Sequence, residues 1–248
     1  MNFIRIIPSI LISNKKCVKG VKFKNHVTVG SPVTTAVAFE SQQADEILVL
    51  DLDAFQNNLY PDFEILNQIS KKISTPITFG GNLRNINDIK KSFDNGADKI
   101  FMNTILLKDT KIIEEAAKTY GSQSIMGGVN LKKFNDLYKV YSFPDYLDPI
   151  AHLKKLEQTG LGELKITFVD TDGTKEGIDE KYCSEILSKI SIPCIFGGGI
   201  GNLNQIKSLI QIGVRSISLG SILYFSDYNI IKIKKFLINE KFDVYLNY

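Results

Sequence analysis

One stretch of this chain occurs twice. Residues 76–107 and 193–224 align without a gap at an offset of 117, and 12 of the 32 positions are identical. The matches include Pro76 with Pro193, the run Phe79-Gly80-Gly81 with Phe196-Gly197-Gly198, Asn85 with Asn202, and Gly96 with Gly213. Each copy reads as an apolar strand, a Gly-Gly turn, an amphipathic helix, a glycine and a second apolar strand. The offset is nearly half of the 248 residues. Two similar halves, each with a glycine turn at a strand end, predict a closed, pseudo-symmetric β/α architecture with two matching anion sites.

The rest of the chain continues the alternation. Short apolar runs at 4–12, 46–50, 77–79, 99–102, 124–129, 164–169, 194–196 and 216–219 read as strands. Helical patterns lie between and after them at 32–43, 63–72, 86–95, 110–119, 148–159, 180–189, 203–212 and 229–239. The strands are continuous apolar runs, as expected when helices cover one face of a sheet and side chains fill the other. Ser31-Pro32 predicts a helix start. Gly96, Gly160 and Gly213 fall where helices end in a left-handed residue. Eight β/α units, a half repeat and this length match a (β/α)8 TIM barrel built as one domain over residues 1–248. The rival is a doubly wound open sheet, which leaves the duplication unexplained and lacks a GxGxxG in its first unit.

Composition narrows the function. A net charge of +3 is too small to predict a nucleic-acid partner. Lys15, Lys16, Lys19, Lys22 and Lys24 cluster early, as a solvated loop or as a mobile loop closing over an anion. Cys17, Cys183 and Cys194 have no metal-ligand spacing, so no metal and no cofactor is expected, and reduced cysteines fit a cytoplasmic protein. No apolar run is long enough for a membrane span, and the N-terminal segment holds Arg5 and Pro8 with no cleavage pattern of a signal peptide.

In a barrel, chemistry sits on the loops that follow the strands. Gly80-Gly81-Asn82, Asn103-Thr104, Gly197-Gly198-Gly199 and Gly220-Ser221 all fall there. Glycines let backbone N–H groups approach a phosphate, and Asn, Thr and Ser add neutral donors. The simpler reading is that these glycines only make tight turns. Paired copies at one offset favour two phosphate cradles, and so a small ligand phosphorylated at both ends.

The chain resembles the cyclase subunit of imidazole glycerol phosphate synthase, and more distantly a sister sugar-phosphate isomerase of histidine biosynthesis. The resemblance runs over essentially the whole length. Its most specific segment is Asp172-Gly173-Thr174-Lys175 followed by Gly177, supported by Val18-Lys19-Gly20, Gly96-Ala97-Asp98-Lys99, Asn103-Thr104 and Gly121-Ser122-Gln123. It implies a lyase barrel that docks a glutaminase subunit on its lower face and receives ammonia through the barrel. Carried over by position, the phosphate sites are Gly81, Asn82, Asn103, Thr104, Gly173, Gly198, Gly199, Gly220 and Ser221. The ammonia gate is Arg5, Glu46, Lys99 and Glu163, and the partner interface includes Asp98 and Gln123. A bland alternative makes the four gate charges an ordinary salt-bridge plug.

Two departures stand out. The family's acid and base, both aspartates, fall at Leu11 and Asn130 here. Neither side chain can shuttle a proton near neutral pH, and each such group contributes roughly 100- to 10,000-fold in rate. Asn82 also replaces a usual glycine. The acidic residues left nearby as substitutes are Asp51, Asp170 and Asp172, although Asp51 could equally cap the loop after its strand. Three readings follow. The first is a barrel that pairs with a glutaminase and conducts ammonia to a separate amidotransferase for amidination of a surface-polysaccharide sugar, as the resemblance to such paralogues implies. The second is a working cyclase that uses Asp51 or Asp172. The third is a non-enzymatic phosphate-ligand binding module.

Overall fold

The structure is a computed structural model describing residues 3–107, 110–141 and 147–247. Its strands are β1 (Arg5–Ser13), β2 (Lys16–Val21), β3 (Lys24–Gly30), β4 (Ile47–Asp51), β5 (Ile77–Gly80), β6 (Lys99–Met102), β7 (Ile125–Phe134), β8 (Leu137–Val140), β9 (Glu163–Phe168), β10 (Cys194–Gly197) and β11 (Ser216–Leu219). Its helices are α1 (Pro32–Ser41), α2 (Leu52–Gln56), α3 (Phe63–Ser70), α4 (Ile86–Asp94), α5 (Lys111–Tyr120), α6 (Pro149–Glu157), α7 (Glu180–Lys189), α8 (Leu203–Gln211), α9 (Ser221–Tyr224) and α10 (Ile230–Asn239).

The eight expected strands pair in parallel in the order β1, β4, β5, β6, β7, β9, β10, β11, and β11 returns to β1 through Ile6 opposite Ile217. Closure of this sheet makes the chain a (β/α)8 barrel and excludes the open doubly wound sheet. Helices wrap the outside, and most of the apolar core lies between them and the strands. A second, small cluster of Ile7, Leu48, Phe101, Met126 and Ile195 fills the barrel axis. Alternation decides which residues point there: on β9, Glu163, Lys165 and Thr167 share the inward face.

The repeat has a local physical basis. Asn85 and Asn202, a matched pair, are both N-caps, with φ, ψ of −156°, 169° and −153°, 169°. Each side chain accepts a hydrogen bond from the backbone N–H three residues on, Asp88 and Gln205, at 3.0 Å. Gly96 and Gly213, the other matched pair, follow their helices at φ 98° and 105°.

Several expectations need correction. Residues 15–25 are no loop: β2 and β3 form an antiparallel hairpin that continues from β1. Lys15, Lys16, Lys22 and Lys24 are exposed on it, but Lys19 is buried at 5% exposure. Ser31 starts α1 by position only, since its side chain makes no capping hydrogen bond. β7 runs to Phe134, past the expected strand end at 129, and turns into β8 as a second hairpin. The short helices α2 and α9 were not anticipated.

Candidate functional site

At the C-terminal end of the strands the barrel opens into a cavity of about 770 Å³. All the residues expected to hold phosphate line it: Gly81 and Asn82 after β5, Asn103 and Thr104 after β6, Gly173 after β9, Gly198 and Gly199 after β10, and Gly220 and Ser221 at the start of α9. Leu11 on β1 and Asn130 on β7 line the same cavity, so the positions that the resemblance assigns to an acid and a base do face the mouth. The backbone is shaped for close approach. Gly198 has φ 96°, and a Cβ there would stand 2.6 Å from the Phe168 carbonyl oxygen, so only glycine fits. Gly173, at φ 78°, packs against the backbone of Gly20 and joins the β2–β3 hairpin to the loop after β9. Lys22 reinforces that junction by donating its N–H to the Asp172 carbonyl at 2.8 Å.

The candidate acids behave differently from one another. Asp51 lines the cavity and is also a cap: its carboxylate accepts from Ala54 N–H at 3.1 Å and from Asp62 N–H at 2.9 Å. Burial raises its pKa and these bonds oppose the rise. Asn82 spends its side-chain amide on the carbonyls of Ala54 and Leu59, at 3.0 and 2.9 Å, which ties the loop after β4 to the turn after β5. Asp170 accepts the Lys133 N–H at 2.7 Å and stays out of the cavity lining. Asp172 does line the cavity, and burial raises its pKa against the pull of Lys19 and Lys165.

Sequence reasoning missed the centre of the mouth. Lys19 and Lys165 are both buried in it, at 5% and 7% exposure. Lys19 donates to Ser9 Oγ at 2.8 Å and its Nζ stands 5.3 Å from the centre of the Tyr224 ring. Lys165 donates to Thr167 Oγ1 at 2.6 Å. Neither has a salt-bridge partner among the described residues; Asp172 acts on both through space. Burial lowers each pKa to about 8. A signal for Lys165 exists in the sequence: in Glu163-Leu164-Lys165-Ile166-Thr167 the polar residues alternate, which puts all three on one face.

At the opposite, N-terminal end of the strands, Arg5, Glu46, Lys99 and Glu163 close a four-membered ring of alternating charge. Arg5 meets Glu46 at 3.3 Å and Glu163 at 2.7 Å, and Lys99 meets Glu46 at 2.8 Å and Glu163 at 3.0 Å. Thr78 adds a hydroxyl to Glu46 at 2.6 Å and Ser216 accepts from Arg5 at 2.9 Å. Asp98 and Gln123 are exposed on this same end, beside the starts of β6 and β7. Asp98 also accepts the Ile77 N–H at 2.8 Å, so it has a structural task as well.

Comparison with known proteins decides the lineage. The histidine biosynthesis protein family matches residues 5–229. The chain belongs to that family. Its relatives include three named imidazole glycerol phosphate synthase subunit HisF. The one from Sulfurisphaera tokodaii is 32% identical over 244 residues, 97% of this chain and 98% of the relative. That from Campylobacter concisus is 32% identical over 237 residues, 94% of each chain, and that from Clostridium botulinum is 33% identical over 249 residues, 98% of each. The cavity and the charged ring described above are therefore the two ends of a HisF-like cyclase barrel. No helix among the described residues is long and apolar enough to cross a membrane.

Proposed function

We propose that this chain is the barrel subunit of a glutamine-dependent assembly. A glutaminase subunit docks on the lower face around Asp98 and Gln123, ammonia passes the Arg5–Glu46–Lys99–Glu163 ring, and a phosphorylated ligand sits in the mouth on the glycine turns. The barrel does not run the cyclisation itself. The ammonia goes on to a separate acceptor enzyme, a sugar amidotransferase in the reading taken from the resemblance, and the assembly works in the cytoplasm as a single-domain barrel paired with its glutaminase.

One observation carries the proposal: Leu11 and Asn130 face the cavity while the ring below them is closed by four contacts. A partly buried ring of ions costs desolvation that its mutual attraction only offsets, so its presence beneath a mouth with leucine and asparagine at the family's acid and base positions fits passage of ammonia better than the family's proton-transfer chemistry. The apolar axis of Ile7, Leu48, Phe101, Met126 and Ile195 favours neutral ammonia over ammonium.

The test is direct. The purified barrel, given excess ammonium and the substrate of imidazole glycerol phosphate synthase, should turn over at least about 1,000-fold more slowly than a HisF relative, since two proton-transfer groups are missing. Mixed with a glutaminase subunit of such a synthase, it should stimulate glutamine hydrolysis. Cyclase turnover within tenfold of the relative would refute the proposal and favour the second reading, in which Asp172, half-buried in the field of Lys19 and Lys165, moves the proton. Tight bis-phosphate binding with no effect on any glutaminase would favour the binding module.

A further inference from the structure

We propose that Lys165 is a nucleophile that forms an imine with the carbonyl carbon of a small phosphorylated aldehyde or ketone held in the barrel mouth.

The argument begins with what a lysine needs for this chemistry. The attacking species is the neutral amine, so the ammonium must be disfavoured, and the group must be reachable by ligand. Lys165 meets both conditions. It sits on the inward face of β9, is 7% exposed, and lines the open cavity. Its one side-chain hydrogen bond goes to the Thr167 hydroxyl at 2.6 Å, and it has no carboxylate in salt-bridge contact among the described residues. A second ammonium, Lys19, faces the same space and disfavours charge on Lys165. Burial is the larger effect in that direction, Asp172 opposes it, and the pKa falls to about 8, so a minor fraction of the amine is neutral at pH 7. Lys19 is the less suitable of the two: the face of the Tyr224 ring favours its charged form.

The surroundings supply the other parts. Thr167 Oγ1 can donate to or accept from the amine. Asp172 lines the same cavity, and its pKa, raised by burial, suits it to pass a proton to a leaving hydroxyl. The step balances without a further reagent. The amine nitrogen bonds to the carbonyl carbon, the carbonyl oxygen takes both amine protons and leaves as water, and a C=N bond remains. The phosphate of the ligand would rest on the turn of Gly198 and Gly199; that part of the inference rests on the phosphate reading of the mouth.

Borohydride trapping tests it. Dihydroxyacetone phosphate is incubated with the intact chain and sodium borohydride, whose hydride reduces C=N to a stable secondary amine, and the modified lysine is located by peptide mass mapping. The expected result is labelling at Lys165 at least about tenfold above any other lysine, lost in Lys165→Met and Lys165→Arg. Mapping of the unaltered chain stands whether or not a variant folds. Absence of label at Lys165, or label at Lys19 or on surface lysines alone, overturns the inference. Unphosphorylated dihydroxyacetone separates the two readings: equal labelling at Lys165 supports the imine and removes the phosphate cradle. Inorganic phosphate binding by calorimetry, with no labelling, keeps the cradle and removes the imine.

Discussion

At the scale of residues, the mouth concentrates groups that cost the fold stability. A buried lysine with a lowered pKa is a penalty on the folded state, since the unfolded chain binds the proton more tightly. Lys165 titrates at about 8 folded against 10.5 in its ordinary state. Below about pH 8 both states are protonated and the penalty is complete. Between about 8 and 10.5 the folded protein has released the proton and the unfolded chain has not, so stability rises with pH there. Lys165→Met should therefore stabilise the protein at pH 7 by about 3 kcal/mol, at roughly 1.4 kcal/mol per pKa unit, and remove part of the rise between pH 8 and 10. Lys19 keeps its own share, because its pKa is lowered to a similar value. Urea unfolding of both forms at pH 7 and pH 10 checks this; an unchanged pH slope would show that Lys165 is charged in the fold. Leu11, by contrast, drew its significance from the resemblance, which places an acid–base residue there, while alternation from Arg5 along β1 accounts for its facing the cavity.

At the scale of elements, the repeat is carried by caps and turns as well as by core residues. Asn85 and Asn202 satisfy an N–H at the start of α4 and α8. Replacing either with alanine should cost about 1 kcal/mol. The two caps sit on separate helices with no shared partner, so the double variant should lose about 2 kcal/mol, as read by thermal or urea unfolding. A strongly non-additive loss would mean that the halves of the barrel unfold as separate units. The hairpins mark where local reading stops. Three two-residue turns have both positions at positive φ: Asn14-Lys15, Lys22-Phe23 and Asn135-Asp136. Only Asn135-Asp136 has at both positions residues that enter the left-handed region readily. Lys22-Phe23 pays a conformational cost that the packing of the hairpin on Gly173 offsets, a long-range cause invisible at positions 22 and 23.

At the scale of the whole molecule, the charged ring joins four strands spread over more than half of the chain, from Arg5 to Glu163. Each acid serves both cations. Glu46→Ala would leave Arg5 and Lys99 sharing Glu163 alone and would remove the acceptor for Thr78. The loss should be about 2 kcal/mol, below the 3–5 typical of a fully buried pair, because Arg5 and Lys99 keep 27% and 20% side-chain exposure. Glu46→Met with Lys99→Met should cost less than Glu46→Ala, since Arg5 and Glu163 then remain a balanced pair. Chemical denaturation of the three forms measures the coupling; a double variant worse than the single would show that Lys99 keeps a stabilising contact with Glu163 when Glu46 is gone.

The sequence by itself determined the strand and helix alternation, the half repeat, and which residues stand at the ends of the strands, because these depend on spacing and on the conformational preferences of Gly and Pro close along the chain. Only the tertiary structure decided that Lys19 and Lys165, 146 positions apart, share one cavity with Asp172, that Asp51 and Asn82 spend their polar atoms on neighbouring backbone, and that the ring of four charges is closed. Those outcomes depend on closure of the barrel, in which β1 and β11 are neighbours and inward faces meet across the axis, and no local pattern records which side chains will meet there.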